Sequence, residues 1–284
     1  VSQKLFDKFK MSRARLAYLI DATCAPGRIT IPFNAWGAYI LGLLVIYQLP
    51  NPTLTLLQSI PLNLYAVLTI GLAFYTAISG RVFGPLKTFE LQQYNIQISE
   101  TISPNEPHGL ARFMLIPLLT LVSCILLFMV VTGNGNIMQG SGATSVLWAT
   151  CVALIVSYVL LHTHKIFKHK EIIRISFDGM SDLLPLVTTV LLAMSLGSAM
   201  KALGTGAFVA GFIGPLLPIY LIVPFVFIAG AIISFTTGTS WGTFAIMMPL
   251  AMPMATSLGI PPALLLSAVL GGGVFGDHCS PISD

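Results

Sequence analysis

The chain has 284 residues, 55% of them hydrophobic and 8% charged, with a net charge of +4 and a mean hydropathy of +0.87. A soluble domain carries about 25% charged residues, so this composition excludes a globule with a water-compatible surface; no nucleic-acid partner is expected. Leu, Ile, Val, Ala, Gly and Met dominate without the alternation of an outer-membrane barrel. What remains is an all-α polytopic membrane protein.

A helix needs roughly 20 apolar residues to cross about 30 Å of hydrocarbon. In chain order, Ala14–Gln48 is too long for one straight crossing and is interrupted at Ala25-Pro26-Gly27 and again at Pro32, which predicts a broken helix. Further spans are predicted over Pro61–Ser79, Leu110–Val131, Thr144–Leu161, Leu183–Leu203, Leu217–Thr236, Thr243–Leu258 and Pro262–Phe275. Gly204-Thr205-Gly206 and the short apolar stretch to Pro215 predict a second broken or re-entrant element. Cys24, Cys124, Cys151 and Cys279 have no paired spacing and read as small membrane-core residues in a reducing context.

Basic residues set the expected topology. Lys4, Lys8, Lys10, Arg13 and Arg15 lie before or at the start of the first span; Arg81, Lys87 and Arg112 lie in the long loop from Gly80 to Arg112 that leads into the third; Lys165, Lys168, Lys170 and Arg174 follow the fourth. The loops 50–60 and 132–142 carry no charge, so the count alternates 5, 0, 3, 0, 4. The positive-inside rule then places the start and both basic loops in the cytoplasm, provided that Ala14–Gln48 crosses once. The expected organisation is one partial transmembrane domain over 1–284, with a cytoplasmic segment 1–13, a cytoplasmic or interfacial loop 80–112 and a cytoplasmic basic loop 162–182. Glu90, Glu100 and Glu106 have apolar spacing that suits an amphipathic interfacial helix or a solvated connector. Asp178 and Asp182 read as helix-entrance capping or dipole compensation.

Polar residues at membrane depth carry the functional signal, because an ionisable side chain there costs several kcal/mol unless compensated. Asp21 and Thr23 precede the Pro26-Gly27 break, where freed carbonyls can bind a cation; Arg28 follows Asp21 by seven residues and can neutralise it as an ion pair instead. Asn34 offers an amide oxygen after the second break. Lys201 can snorkel to the far interface, pair with a carboxylate such as Asp277, or occupy a cation site in its empty state. Within 235–243, four Thr and one Ser surround two glycines: Thr236, Thr237, Thr239, Ser240 and Thr243, with Gly238 and Gly242. Such hydroxyls are hard oxygen ligands at a flexible break, or else small residues at a tight helix contact.

The last cluster is Gly276-Asp277-His278-Cys279-Ser280-Pro281-Ile282-Ser283-Asp284. Desolvation favours a neutral carboxyl and a bound cation favours its ionised form, so one carboxylate can exchange a proton for a cation. His278 either biases that exchange or is a hydrogen-bonded structural histidine. No His-Glu-x-x-His, Gly-x-Ser-x-Gly or phosphate-loop motif occurs, which argues against an intramembrane enzyme. A passive channel built from glycine-rich breaks is the remaining rival.

Three stretches, Tyr18–Gly37, Ser234–Pro249 and Gly276–Asp284, together with Leu196–Gly206, make the chain resemble the NhaC family of sodium/proton antiporters within the ion-transporter superfamily. The resemblance implies inverted repeats, a midplane cation site and sodium efflux driven by inward protons in the plasma membrane. It also implies that Asp277, Ser280, Ser283 and Asp284 line the site with Thr237, Thr239 and Ser240. Asp21, Thr23, Asn34, Arg28 and Lys201 are then the candidates for coupling. Sodium, or lithium, and protons are expected as cargo, with no cofactor and with a homodimer as an option. Related carriers exchange organic anions such as malate and lactate, or export amino acids, and an anionic substrate would favour Arg28 and Lys201 as ligands. Family sequences continue past the final aspartate, so the chain is expected to be a fragment lacking flanking helices.

Overall fold

The computed structural model describes residues 12–32, 34–47, 49, 51–94, 111–137 and 140–283. These form twelve helices: α1 Arg13–Thr30, α2 Ala35–Ile46, α3 Pro52–Leu62, α4 Leu64–Ser79, α5 Pro85–Tyr94, α6 Ala111–Thr132, α7 Gly142–Thr163, α8 His169–Ala202, α9 Thr205–Ile213, α10 Ile219–Thr237, α11 Ser240–Leu258 and α12 Pro262–Cys279. Five of them (α6, α7, α8, α10 and α12) are long and apolar enough to cross a membrane, and the number rises to seven if α1 with α2 and α3 with α4 each make one broken span. The chain is therefore a multi-pass membrane protein, as its composition requires. Lys4, Lys8 and Lys10 of the N-terminal segment, with Gln48, Glu100, Glu106, Leu110 and Asp284, lie outside the described residues.

Contacts divide the chain into two compact units. In the first, α1 packs on α4 and α5. Leu16, Ala22, Ala25 and Ile29 of α1 and Ala66 and Ala73 of α4 are buried, and Arg15 donates from Nη2 to the Gly80 carbonyl at 2.9 Å. Here the expected interruption at residues 25–27 does not occur: α1 continues through Pro26 to Thr30. A helical proline removes one N–H bond and crowds one carbonyl, a loss that neighbouring groups offset in membrane helices. The chain leaves helical geometry only after Thr30, around Pro32.

The second unit holds α2, α3 and α6 to α12, with its core along α11 and α12. Phe244, Met248, Leu265, Leu266 and Val269 have no exposed surface. The outer helices turn Phe177, Leu192 and Phe212 outward, as lipid-facing surfaces should. α10 and α12 run parallel: Phe227 meets Gly272, Ala231 meets Gly276 and the Phe235 carbonyl meets Ser280, an advance of four residues on each helix. Glycine makes this approach possible, since a Cβ on Gly276 would lie 2.2 Å from the Ala231 carbonyl oxygen and one on Gly272 would lie 2.2 Å from that of Phe227. Small residues are the usual route to close packing in lipid, where no hydrophobic effect drives helices together. α11 returns antiparallel to both, with Ser240 beside Asp277 and Phe244 against Gly273.

Other elements differ from expectation in extent. The uncharged segment 50–60, expected as a loop, is mostly α3, and the break before α4 falls at Asn63 rather than at the start of a Pro61 helix. Asn63 is 2% exposed, with its Oδ1 against Gly271 of α12. The basic segment 162–182 is largely helical: only residues 164–168 separate α7 from α8. Glu171 accepts from the Lys168 backbone N–H at 2.8 Å and fixes the start of α8. With 34 residues, α8 is roughly 51 Å long, longer than the hydrocarbon is thick. The glycine-flanked element before Pro215 is α9, nine residues that follow a left-handed Gly204.

Candidate functional site

The hydroxyl-rich stretch folds as a helical hairpin. α10 ends at Thr237, Gly238 adopts φ 66°, Thr239 is extended, and α11 starts at Ser240. A left-handed residue at a helix end favours glycine, and here space demands it too, because a Cβ on Gly238 would meet the Ile282 carbonyl oxygen at 2.7 Å. α12 ends at Cys279, one residue before Ser280 turns the chain out of the helix. Two helix C-termini and one N-terminus thus converge on residues 277–283.

Asp277 stands at their centre. Its Oδ2 accepts from the Ser240 hydroxyl and its Oδ1 from the Ser283 hydroxyl, each at 2.7 Å. Each hydroxyl comes from a different segment, so the carboxylate ties the start of α11 to the chain after α12. Ser280 Oγ donates to the Phe235 carbonyl at 2.8 Å, and Ser234 Oγ donates to the Gly273 carbonyl at 2.6 Å. These two bonds clamp the last turns of α10 and α12 together beneath Asp277. Helix C-termini carry about half a negative charge each, and the first N–H groups of α11 carry the opposite sign. The two C-termini favour a cation beside them. Among the described residues, no Lys, Arg or His side chain pairs with Asp277.

The expected site residues separate into groups. Asp277, Ser240, Ser280 and Ser283 come together as described, and Asp284 lies outside the described residues. Thr237 and Thr239 stand in the same break, but Thr237 donates back to the Ile233 carbonyl at 2.8 Å, and the Thr239 carbonyl accepts from Thr243 at 2.9 Å. Asn34 is the N-cap of α2, its Oδ1 taking the Gly37 N–H at 3.0 Å, so its amide oxygen holds a helix end. Lys201 donates from Nζ to the Ile46 carbonyl at the end of α2 and lies 5.5 Å from the Tyr47 ring centre; it does not pair with Asp277. Asp21, Thr23 and Arg28 belong to the first unit. Thr23 donates to the Leu19 carbonyl at 2.6 Å, and Arg28 Nε donates to that of Cys24 at 3.2 Å.

Sequence reasoning missed Ser234 and Asn63. Ser234 is wholly buried and opens the motif stretch, one position before the hydroxyl cluster. Asn63 had a signal, a lone amide following Pro61 inside an apolar span.

The model of the Na+/H+ antiporter family matches residues 30–284. The chain belongs to that family. Membership places it with transporters rather than enzymes. An uncharacterised protein of Haemophilus influenzae is 30% identical over 308 residues, covering 100% of this chain and 59% of that relative. The malate-2H(+)/Na(+)-lactate antiporter of Bacillus subtilis is 33% identical over 144 residues, covering 47% of this chain and 29% of that protein. The chain thus spans less than two thirds of either relative. No solved structure matches it.

Proposed function

We propose that this chain carries the ion-exchange site of a secondary antiporter that moves sodium or lithium out of the cytoplasm against inward protons, with Asp277 holding either cation or proton. The observation that carries the reading is the Asp277 carboxylate, set between two serine hydroxyls at two converging helix C-termini and lacking a basic partner among the described residues. A carboxylate in this setting is neutralised either by a proton or by a small cation, and not by both at once. The two ions then compete for one group, which is the minimum an exchanger needs. Ser240 and Ser283 can donate to the ionised carboxylate while turning a lone pair to the cation. Ser280, Thr237, Thr239 and Asp284 are the next oxygen candidates.

The NhaC assignment, the inverted-repeat arrangement and the plasma-membrane location with a cytoplasmic N-terminal end belong to the same proposal. They are supported by the motif stretches and by the alternation of basic residues. The relative named as a malate–lactate antiporter favours a second reading, an organic-anion exchanger. Against it, Lys201 is engaged at the end of α2, and no other basic side chain among the described residues pairs with Asp277. The deciding experiment places the full-length protein in vesicles with an internal pH dye. Sodium or lithium pulses alone should move protons. A requirement for malate or lactate would favour the second reading, and sodium current without proton movement would indicate a channel.

A further inference from the structure

The start of α11 is held from outside the Asp277 cluster. Tyr39 of α2 donates its phenol proton to the Trp241 carbonyl at 3.0 Å, on the residue next to Ser240. The two rings lie 5.0 Å apart. Trp36, one turn earlier on α2, packs edge-on to Trp241 at 5.0 Å and to Phe244 at 5.4 Å. Phe244 in turn occupies the space where a Cβ of Gly273 would stand, 2.4 Å from its ring. Gly273 lies one turn before Asp277 and receives the Ser234 hydroxyl. The α2 aromatic edge therefore backs both sides of the carboxylate: Ser240 through the first turn of α11, and Asp277 through Gly273. The far end of α2 is fixed separately, by the Lys201 ammonium on the Ile46 carbonyl.

Packing alone does not account for Tyr39. A phenylalanine would fill the same space, whereas a phenol in an apolar segment needs a polar partner. Its partner here is the backbone of the first turn of α11. We propose that Tyr39, supported by Trp36, is a positioning residue that holds this turn so that the Ser240 hydroxyl stays on Asp277. The inference rests on the reading of Asp277 as the exchange site.

The test uses Tyr39→Phe in the full-length protein, which keeps the ring and removes one hydrogen bond. Sodium-dependent proton movement in vesicles should show a rise of about five-fold in half-saturating sodium, the size of one net hydrogen bond, with the maximal rate kept within about two-fold. Amide exchange measured by mass spectrometry should quicken in a peptide covering residues 241–248. Tyr220→Phe, at an exposed phenol in the first turn of α10, should change neither. Unchanged half-saturation overturns the inference, as does unchanged amide exchange, as does a loss confined to the maximal rate. Asp277→Asn in the same assay separates the two claims. If that variant exchanges ions like wild type, the site reading fails, while the amide-exchange result still decides whether Tyr39 holds α11.

Discussion

Replacing Asp277 by asparagine tests the site with little change of shape. Asn keeps one carbonyl oxygen that can still accept from Ser240 or Ser283, so only one of the two 2.7 Å bonds needs to rearrange. What disappears is the charge. A unit charge pair at about 4 Å is worth ~1 kcal/mol in bulk water and ~4 kcal/mol at an effective dielectric constant of about 20. Asp277 is partly exposed, so the loss should fall between these limits. At about 1.4 kcal/mol per decade, that weakens sodium binding by roughly 5-fold to 1,000-fold. Proton coupling has no such range, because an amide does not titrate. The assay is sodium-triggered proton movement in vesicles, with sodium binding measured in parallel on purified protein. The expected result is abolished proton movement, weakened sodium binding and normal membrane insertion. Proton movement of wild-type size in Asp277→Asn would refute the reasoning.

Gly276→Ala would place a Cβ 2.2 Å from the Ala231 carbonyl oxygen and 2.7 Å from Ser234 Cβ, both on α10; overpacking of this kind costs about 1–3 kcal/mol, and a lowered unfolding temperature in detergent should report it. Gly238 and Gly259 both end helices in the left-handed region, at φ 66° and 67°, but only Gly238 has a close neighbour. Gly259→Ala should cost only the backbone term, about 1–2 kcal/mol, while Gly238→Ala should cost more and also reduce exchange; equal losses of thermal stability would contradict the crowding at Ile282. Lys201→Met removes a cation from the C-terminal end of α2 and should lower stability by about 0.3–1 kcal/mol, with half-saturating sodium unchanged, as a sodium titration would show.

Much of the candidate cluster was legible before the fold. Asp277, Ser240, Ser280 and Ser283 stood out because carboxylates and clustered hydroxyls conflict with their apolar surroundings, a conflict visible in one dimension. The companions of that cluster were not legible in the same way. Asn34 and Lys201 are equally polar, and both hold ends of α2 instead of facing Asp277. Pro26 reads as a break and is not one, since whether a helix survives a proline depends on what replaces the lost bond. Ser234 and Tyr39 drew no attention because one hydroxyl in an apolar run signals nothing until its partner carbonyl is known.

Composition by itself determined that the chain is helical and spans a membrane, because 8% charged residues cannot coat a soluble surface and apolar runs in lipid must satisfy their own backbone. The spacing of glycines and hydroxyls determined where the helices are interrupted near the site. Only the tertiary structure decided that α10 and α12 lie parallel with both C-termini on Asp277, and that α11 returns antiparallel beside them to bring Ser240 within 2.7 Å. Helix direction and contact depend on which glycine faces which carbonyl across more than forty residues of chain, and local sequence carries no record of that pairing.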